Sequence, residues 1–166
     1  ASDVYKRQQL GTAGKGSNGL LINKQGQLVI CQHGDRRMAV MNSHIHEPKA
    51  DFISIANSYE SKRFNSPNDA AYRSNGDLYF TDPPYGLDQQ DADSTKEQAF
   101  NGVYRLKSNG KIDLVIDSLT RPNGIAFLND SILLVADSDK QKARWYAYRL
   151  KGDSLTHGKI FYEVST

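Results

Sequence analysis

The amino-acid sequence predicts an all-β protein, a β-propeller of which this chain holds about three blades. Three fifteen-residue stretches align without a gap, and successive stretches begin 50 and 55 residues apart. Each contains two strand-like apolar runs around a polar turn, and no segment shows sustained helical periodicity. Repeats of about 40 to 50 residues with several short strands are typical of propellers, which have roughly 4 to 8 blades. The three stretches are residues 18–32, 68–82 and 123–137.

Turn residues define the elements inside each repeat. The paired runs are separated by Gln25-Gly26, Asn75-Gly76 and Asn129-Asp130. Gly and Asn tolerate the positive φ that tight hairpin turns require. Further strands are predicted between the hairpins, at residues 38–41, 102–106, 112–116 and 145–150.

Composition narrows the possible classes of protein. The chain has 166 residues, of which 38% are apolar and 24% charged, as expected of a soluble globular domain. A net charge of +2 with interspersed signs disfavours a nucleic-acid or membrane-surface partner, and no apolar run is long enough to span a bilayer. The only cysteine, Cys31, lies in an apolar run and is predicted to be buried. Composition leaves a cytoplasmic and a periplasmic or secreted location equally open.

Both ends of the chain suggest a fragment. Residues 1–8 show no patterning that joins them to the rest of the chain, and we interpret them as a non-native leader before a partial propeller domain at residues 9–166. Three blades are also fewer than a closed propeller needs. A partial propeller leaves sheet faces open, so we expect the isolated chain to associate.

An Asn opens each repeat, at Asn18, Asn68 and Asn123. Equivalent points on the innermost strands of a propeller surround one axis, so these side chains are expected to converge. Carboxamide oxygens are among the ligands that Ca²⁺ selects, with about 6 to 8 oxygens in total. Alternatively, each Asn starts its strand through an Asx turn, and the repetition weakens this alternative without excluding it.

Three longer motifs resemble those of the SMP-30/gluconolactonase/LRE-like family, and most closely its bacterial gluconolactonase-type members. They read SPNDAAYRSNGDLYFTDPPYGL, FNGVYRL and RPNGIAFLNDSILLVADSD, and the resemblance extends over residues 16–162. It implies a six-bladed propeller with one catalytic divalent cation, usually Ca²⁺, that polarises the carbonyl of a sugar lactone or related ester.

The resemblance also implies the ligands of that cation. In the family they are a Glu of the first blade, the Asn of the PND motif, the Asn of the PNG motif and an Asp of a later blade. Asn68 and Asn123 match the two Asn positions. The Glu and the Asp are expected outside this chain, so the fragment itself is expected to be inactive. A propeller that binds ligands without catalysis, or another ester or phosphoester hydrolase, are the alternatives.

Four other polar residues of the repeats are candidates for the same face. Asn18 either lines the pocket or caps a turn, and Asp69 either orients Asn68 or forms an Asx turn. Asp82 and Asp137 end their hairpins on the side where the Asn residues begin them. They either support the site, through a polar network or a secondary cation, or anchor the adjoining segments.

Candidates also lie outside the repeats. His33 either contacts substrate near the mouth or sits in a surface loop, and Arg121 either reaches a hydroxyl-rich or anionic substrate or packs along its loop. His44 and His46 lack further ligands at zinc spacing and are interpreted as loop residues. The insertion at residues 86–100 is either a solvated loop, with a helical turn at 94–97, or a lid. No nucleophile elbow occurs in the sequence, which favours metal-assisted hydrolysis.

Overall fold

The protein is described by a computed structural model that covers residues 16–163. These residues form three antiparallel sheets in chain order, which confirms the all-β prediction and is consistent with three blades of a propeller. The first blade contains β1 (Leu20–Ile22), β2 (Leu28–Gln32), β3 (Arg37–Met41) and β4 (Phe52–Ala56). A small hairpin follows, formed by β5 (Ser58–Tyr59) and β6 (Lys62–Arg63).

The second and third blades repeat this order. The second contains β7 (Ala70–Tyr72), β8 (Leu78–Asp82), β9 (Gly102–Leu106) and β10 (Ile112–Ile116). The third contains β11 (Pro122–Asn129), β12 (Ile132–Asp137) and β13 (Arg144–Lys151), with β14 (Ser154–Leu155) and β15 (Lys159–Glu163) both paired to β13. The proposed leader, residues 1–8, lies outside the described residues.

The hairpin turns follow the glycine signals in the first two repeats. Gly26 and Gly76 have φ of +75° and +94°, the left-handed region that glycine adopts at no steric cost. In the third repeat the turn is Asp130-Ser131, so the prediction of Asn129-Asp130 was wrong by one residue. Asn129 remains in β11 opposite Ile132, and its side-chain oxygen accepts the backbone N–H of Ser131 at 3.0 Å.

Two apolar cores join the blades, and β8 contributes to both. Alternate residues of a strand point to opposite faces, so Leu78 and Phe80 pack towards the first blade while Tyr79 packs towards the third. Cys31 belongs to the first core and is fully buried, which confirms its predicted position, and its burial raises the pKa of the thiol. A strand covered on both faces explains why Leu78–Asp82 is buried at every residue.

The insertion at residues 86–100 contains a single 3-10 helix, Gln90–Ala92. The predicted helical turn at 94–97 was wrong. The carboxylate of Asp93 instead accepts both the backbone N–H and the hydroxyl of Thr95, at 2.9 and 2.6 Å, and so forms a local turn. None of the helical structure in residues 16–163 has the length and apolar character needed to cross a membrane.

Candidate functional site

The starts of the three repeats adjoin at one edge of the sheets. The backbone N–H of Gly19 donates to the carbonyl oxygen of Asn68 at 2.7 Å, which joins the first blade to the second. The hydroxyl of Thr81 donates to the carbonyl oxygen of Asn123 at 2.7 Å, which joins the second blade to the third. The repeat therefore brings Asn68 next to both neighbouring blades, as the propeller prediction requires.

Asn68 is the most enclosed of the three repeated Asn residues. It is 5% exposed, and its backbone N–H donates to the carbonyl of Thr81 at 2.9 Å, while its carboxamide forms no hydrogen bond with any of residues 16–163. Asn123 is half-buried beside the hydroxyl of Tyr85. Asn18 is exposed at the start of the first blade. Neither Asn68 nor Asn123 forms the local Asx turn that was the alternative at these positions.

Asp69 links blades instead of contacting the carboxamide of Asn68. One carboxylate oxygen accepts the backbone N–H of Ala70 at 2.9 Å, and the other accepts that of Ile125 in the third blade at 3.1 Å. A Cβ atom built on Gly19 would lie 2.8 Å from the first of these oxygens, so glycine is needed for the first blade to approach. Asp69 thus touches all three blades.

Asp82 anchors the segment that leads into its own blade. Its two oxygens accept the backbone N–H groups of Asn65 and Ser66, both at 2.7 Å, and its side chain is fully buried. Burial raises the pKa of Asp82 to about 7, although these two hydrogen bonds oppose the shift.

Asp137 repeats this arrangement in the third blade. Its oxygens accept the backbone N–H groups of Thr120 at 3.1 Å and Arg121 at 2.8 Å. In both blades the two N–H groups immediately precede a proline, which has no N–H of its own. Of the two roles considered for Asp82 and Asp137, these contacts are those of segment anchors. In the first blade the equivalent residue is Gln32, whose oxygen accepts from Nε of Arg37 at 2.7 Å.

Arg121 faces a polar cleft of about 750 Å³ between the insertion and the third blade. Its guanidinium forms an ion pair with Asp91, and Asp91 also accepts a hydrogen bond from the carboxamide of Asn101 at 3.0 Å. Tyr85 lines the cleft and lies beside the side chains of Ser138 and Asn123, so the cleft opens next to one of the repeated Asn residues. Sequence analysis missed Tyr85 and Asp91, which lie outside the repeats.

The insertion forms one wall of this cleft, and most of its residues are exposed, as the solvated-loop interpretation expects. The carboxamide of Gln98 is buried and donates to the carbonyl oxygens of Tyr59 at 3.2 Å and Lys62 at 2.9 Å. The buried guanidinium of Arg36 donates to the carbonyl oxygens of Phe64 at 2.6 Å and Thr95 at 2.9 Å. These contacts hold the insertion to the connection between the first and second blades.

His33 begins the turn between β2 and β3 and is half-buried against Gly16 and Gly86, so it lies in a loop but is not fully exposed. A Cβ atom on Gly16 would lie 2.7 Å from its imidazole ring, and one on Gly86 would lie 3.2 Å from it. Burial lowers the pKa of this half-buried ring. Its Nδ1 atom is buried and has no hydrogen-bond partner among the described residues. His44 and His46 are exposed and lie against each other with ring centroids 5.2 Å apart.

The side chains at the repeat starts fit a hard cation only in part. The carboxamides of Asn68 and Asn123 offer neutral oxygen donors, and that of Asn68 has no partner in residues 16–163 although the residue is almost buried. The oxygens of Asp69, Asp82 and Asp137 already accept backbone N–H groups. Residues 16–163 contain no group of three or more His, Cys, Asp or Glu arranged to hold a metal ion. A cation here would need further ligands in addition to the two carboxamides.

Comparison with known proteins agrees with the fold and with the motifs. A gluconolactonase from Zymomonas mobilis is 36% identical over 141 residues, which is 84% of this chain and 38% of that protein. A crystal structure provisionally named a gluconolactonase is 35% identical, with a TM-score of 0.77 over 88% of this chain and 49% of that one. A gluconolactonase from Xanthomonas campestris is 29% identical, with a TM-score of 0.77 over 89% of this chain and 48% of that one.

The chain spans between 38% and 49% of the length of these three proteins. The family profile of the SMP-30/Gluconolactonase/LRE-like region matches residues 2–166. The chain therefore belongs to the SMP-30/gluconolactonase/LRE-like family.

Proposed function

We propose that this chain is part of a metal-dependent hydrolase of sugar lactones. The similarity to two gluconolactonases, at 36% and 29% identity, supports the lactone as substrate class. The observation that supports the cation is the position of the Asn68 carboxamide, which lies in a 5% exposed residue, has no hydrogen bond to any described residue, and is not among the fully buried unpaired groups. A carboxamide oxygen that is free of protein partners can act as a neutral oxygen ligand of a hard cation.

Asn68 and Asn123 would hold the cation through their side-chain oxygens, and Ca²⁺ is the cation that such donors favour. When bound, a divalent cation supplies Lewis-acid polarisation of an ester carbonyl. The protein's contribution is to fix the backbone from which the two carboxamides extend. Asn68 is fixed by its backbone bond to Thr81, and Asn123 is fixed because its carbonyl accepts the Thr81 hydroxyl. One residue of the second blade thus positions both ligands.

Metal affinity and lactone hydrolysis test the proposal together. Tb³⁺ luminescence, competed with Ca²⁺, should report binding that weakens at least about tenfold in Asn68→Ala and in Asn123→Ala, since each loses one of the few oxygen donors. Asn109→Ala, at an exposed turn of the second blade, is the matched control.

Gluconolactone hydrolysis should be measured with and without chelator, in the longest reading frame that contains this chain. Loss of turnover on chelation, and in both Asn variants, is the expected result. Metal binding without turnover would instead indicate a propeller that binds ligands without catalysis. Hydrolysis that survives both substitutions would contradict the assignment of Asn68 and Asn123.

A further inference from the structure

The cleft between the insertion and the third blade has a lining suited to a hydroxyl-rich ligand. Its volume of about 750 Å³ lies in the usual range of small-molecule sites. Carboxamide and hydroxyl groups can both donate and accept hydrogen bonds, as sugar hydroxyls do. The lining supplies these groups from Ser118, Ser138 and Gln141, whereas the side chains of Asn101 and Thr120 already bond Asp91 and Asp137. Tyr85 and Phe100 add aromatic surface against which a sugar ring can pack.

The charge of the lining disfavours anions. The lining contains three aspartates, Asp91, Asp117 and Asp139, and two basic residues, Arg121 and Lys140, and the ammonium of Lys96 lies behind the lining, 4.0 Å from the carboxylate of Asp91. One of the two basic groups of the lining, the guanidinium of Arg121, is already paired with the carboxylate of Asp91. An anion entering the cleft would therefore have to displace a bound carboxylate before it could use Arg121.

Asp91 is held in the orientation that neutralises Arg121. Its other oxygen accepts the carboxamide of Asn101 at 3.0 Å, and Asn101 in turn donates to the carbonyl of Thr120 at 2.8 Å, next to Arg121 in the chain. Partial burial acts to raise the pKa of Asp91, but the hydrogen bonds from Asn101 and Arg121 outweigh it and lower that pKa. The carboxylate is therefore charged at neutral pH and stays with the guanidinium.

The cleft adjoins one residue of the proposed lactone site through Tyr85. Tyr85 lines it, and the Tyr85 hydroxyl lies beside the side chain of Asn123. A ring bound in the cleft is thus adjacent to a proposed metal ligand. This adjacency makes the cleft a candidate for holding the part of the substrate that does not react.

We propose that the cleft binds a neutral sugar ring and discriminates against phosphorylated sugars, because Asp91 occupies Arg121. The assignment of this ring to a lactone substrate rests on the proposed function, whereas binding in the cleft does not require hydrolysis. Hydrolysis adds water across the ester C–O bond and gives a hydroxy acid, which releases a proton at neutral pH. The aspartates of the lining therefore also weaken binding of the product.

An NMR chemical-shift titration of the chain with glucose and with glucose 6-phosphate at low salt tests the proposal. Glucose should shift resonances of cleft residues, and wild type should bind it at least about threefold more tightly than the phosphate ester. Asp91→Asn keeps an oxygen for Asn101 but frees Arg121. It should tighten glucose 6-phosphate binding about three- to tenfold, change glucose binding less than about twofold, and lose the gain at high salt.

Asp88→Asn is the matched control, since Asp88 is exposed in the same insertion and lies outside the cleft lining. An equal gain in Asp88→Asn would make the effect one of overall charge and overturn the proposal. The proposal would also be overturned if wild type bound both sugars with equal affinity, or if glucose shifted no resonance of a cleft residue. Glucose binding in the cleft without lactone hydrolysis in the longer reading frame would overturn the proposed function alone. Hydrolysis without glucose binding would overturn the cleft assignment alone.

Discussion

Asp69 in the second blade accepts the backbone N–H of Ile125 in the third blade at 3.1 Å. Its other oxygen lies against Gly19 of the first blade, so one carboxylate meets all three sheets. A repeat protein is stabilised by its interfaces between neighbouring units as well as by each unit. Asp69 is therefore a point where the loss of one side chain should affect both interfaces.

Replacing Asp69 with Ala should destabilise the chain by about 1 to 3 kcal/mol, because the N–H groups of Ala70 and Ile125 both lose their acceptor. Urea unfolding followed by circular dichroism measures the change. Asp88→Ala removes an exposed aspartate and should change the free energy of unfolding by less than about 0.5 kcal/mol. Equal effects of the two substitutions would contradict the role given to Asp69.

Gly19→Ala and Gly124→Ala compare the same repeat position in two blades. A Cβ atom at Gly19 would lie 2.9 Å from the Cα atom of Asp69 and 3.0 Å from the carbonyl oxygen of Asn68, and these backbone atoms cannot easily give way. At Gly124 the nearest atoms are 3.8 and 3.9 Å away. Gly19→Ala should therefore lower the midpoint of thermal unfolding by several degrees, and Gly124→Ala should leave it nearly unchanged. The reverse order would show that the first blade does not pack as described.

Asp82 should make the folded protein less stable as the pH rises towards neutrality. Its pKa in the folded state, about 7, lies above its ordinary value of 3.8, so between these values the folded state binds more protons. The free energy of unfolding should therefore fall as pH rises from about 4 to about 7, by about 1.4 kcal/mol per unit of pKa shift, and then level off.

The substitution Asp82→Asn tests whether Asp82 causes this pH dependence, because it removes the titrating carboxyl group. It also leaves one of the two N–H groups, that of Asn65 or that of Ser66, without an acceptor. Urea unfolding at pH 5 and pH 8 should show a smaller pH dependence in Asp82→Asn than in wild type, and unchanged dependence in Asp88→Asn. Parallel pH profiles for wild type and Asp82→Asn would assign the dependence to other groups.

Association should depend on the outer face of the third blade. Leu128, Trp145 and Tyr162 are exposed there by 58%, 49% and 52%, and Trp145 lies against Tyr162 with ring centroids 5.0 Å apart. Exposed apolar surface of this kind favours self-association. Sedimentation velocity should show concentration-dependent association that the double substitution Leu128→Lys with Trp145→Lys reduces. A monomer at all concentrations would contradict this prediction, and Ile53→Lys on the first blade is the matched control.

Most strands of the three blades were predictable from sequence, including β10 at the edge of the second blade, whereas some outer strands were missed. β9 has the predicted bounds, and β13 extends one residue beyond the prediction at each end. β4 was missed, and most of its residues are at least partly exposed. Its sequence, FISIA, does contain the β-branched and aromatic residues typical of strands, so this strand could have been found from sequence.

The candidate site was also only partly predictable from the sequence. The proximity of the Asn68 and Asn123 backbones, which both bond Thr81, agrees with the repeat, because equivalent positions in successive blades must adjoin. The pairing of Asp91 with Arg121 could not be predicted, since the insertion has no counterpart in the other repeats and its path depends on tertiary contacts. The anchoring role of Asp82 was one of two alternatives that only hydrogen-bond geometry distinguishes.

The carboxylates of Asp82 and Asp137 have a consequence for how this chain could evolve. Each fastens the segment that enters its own blade, so the fastening travels with the roughly fifty residues that encode that blade. A duplicated or transplanted unit would bring this closure with it, although contacts such as that of Asp69 with Ile125 would still have to be matched by its neighbours. The first blade has Gln32 at this position, bonded to Arg37 within the same sheet. Modular exchange should therefore be easier for the second and third units than for the first.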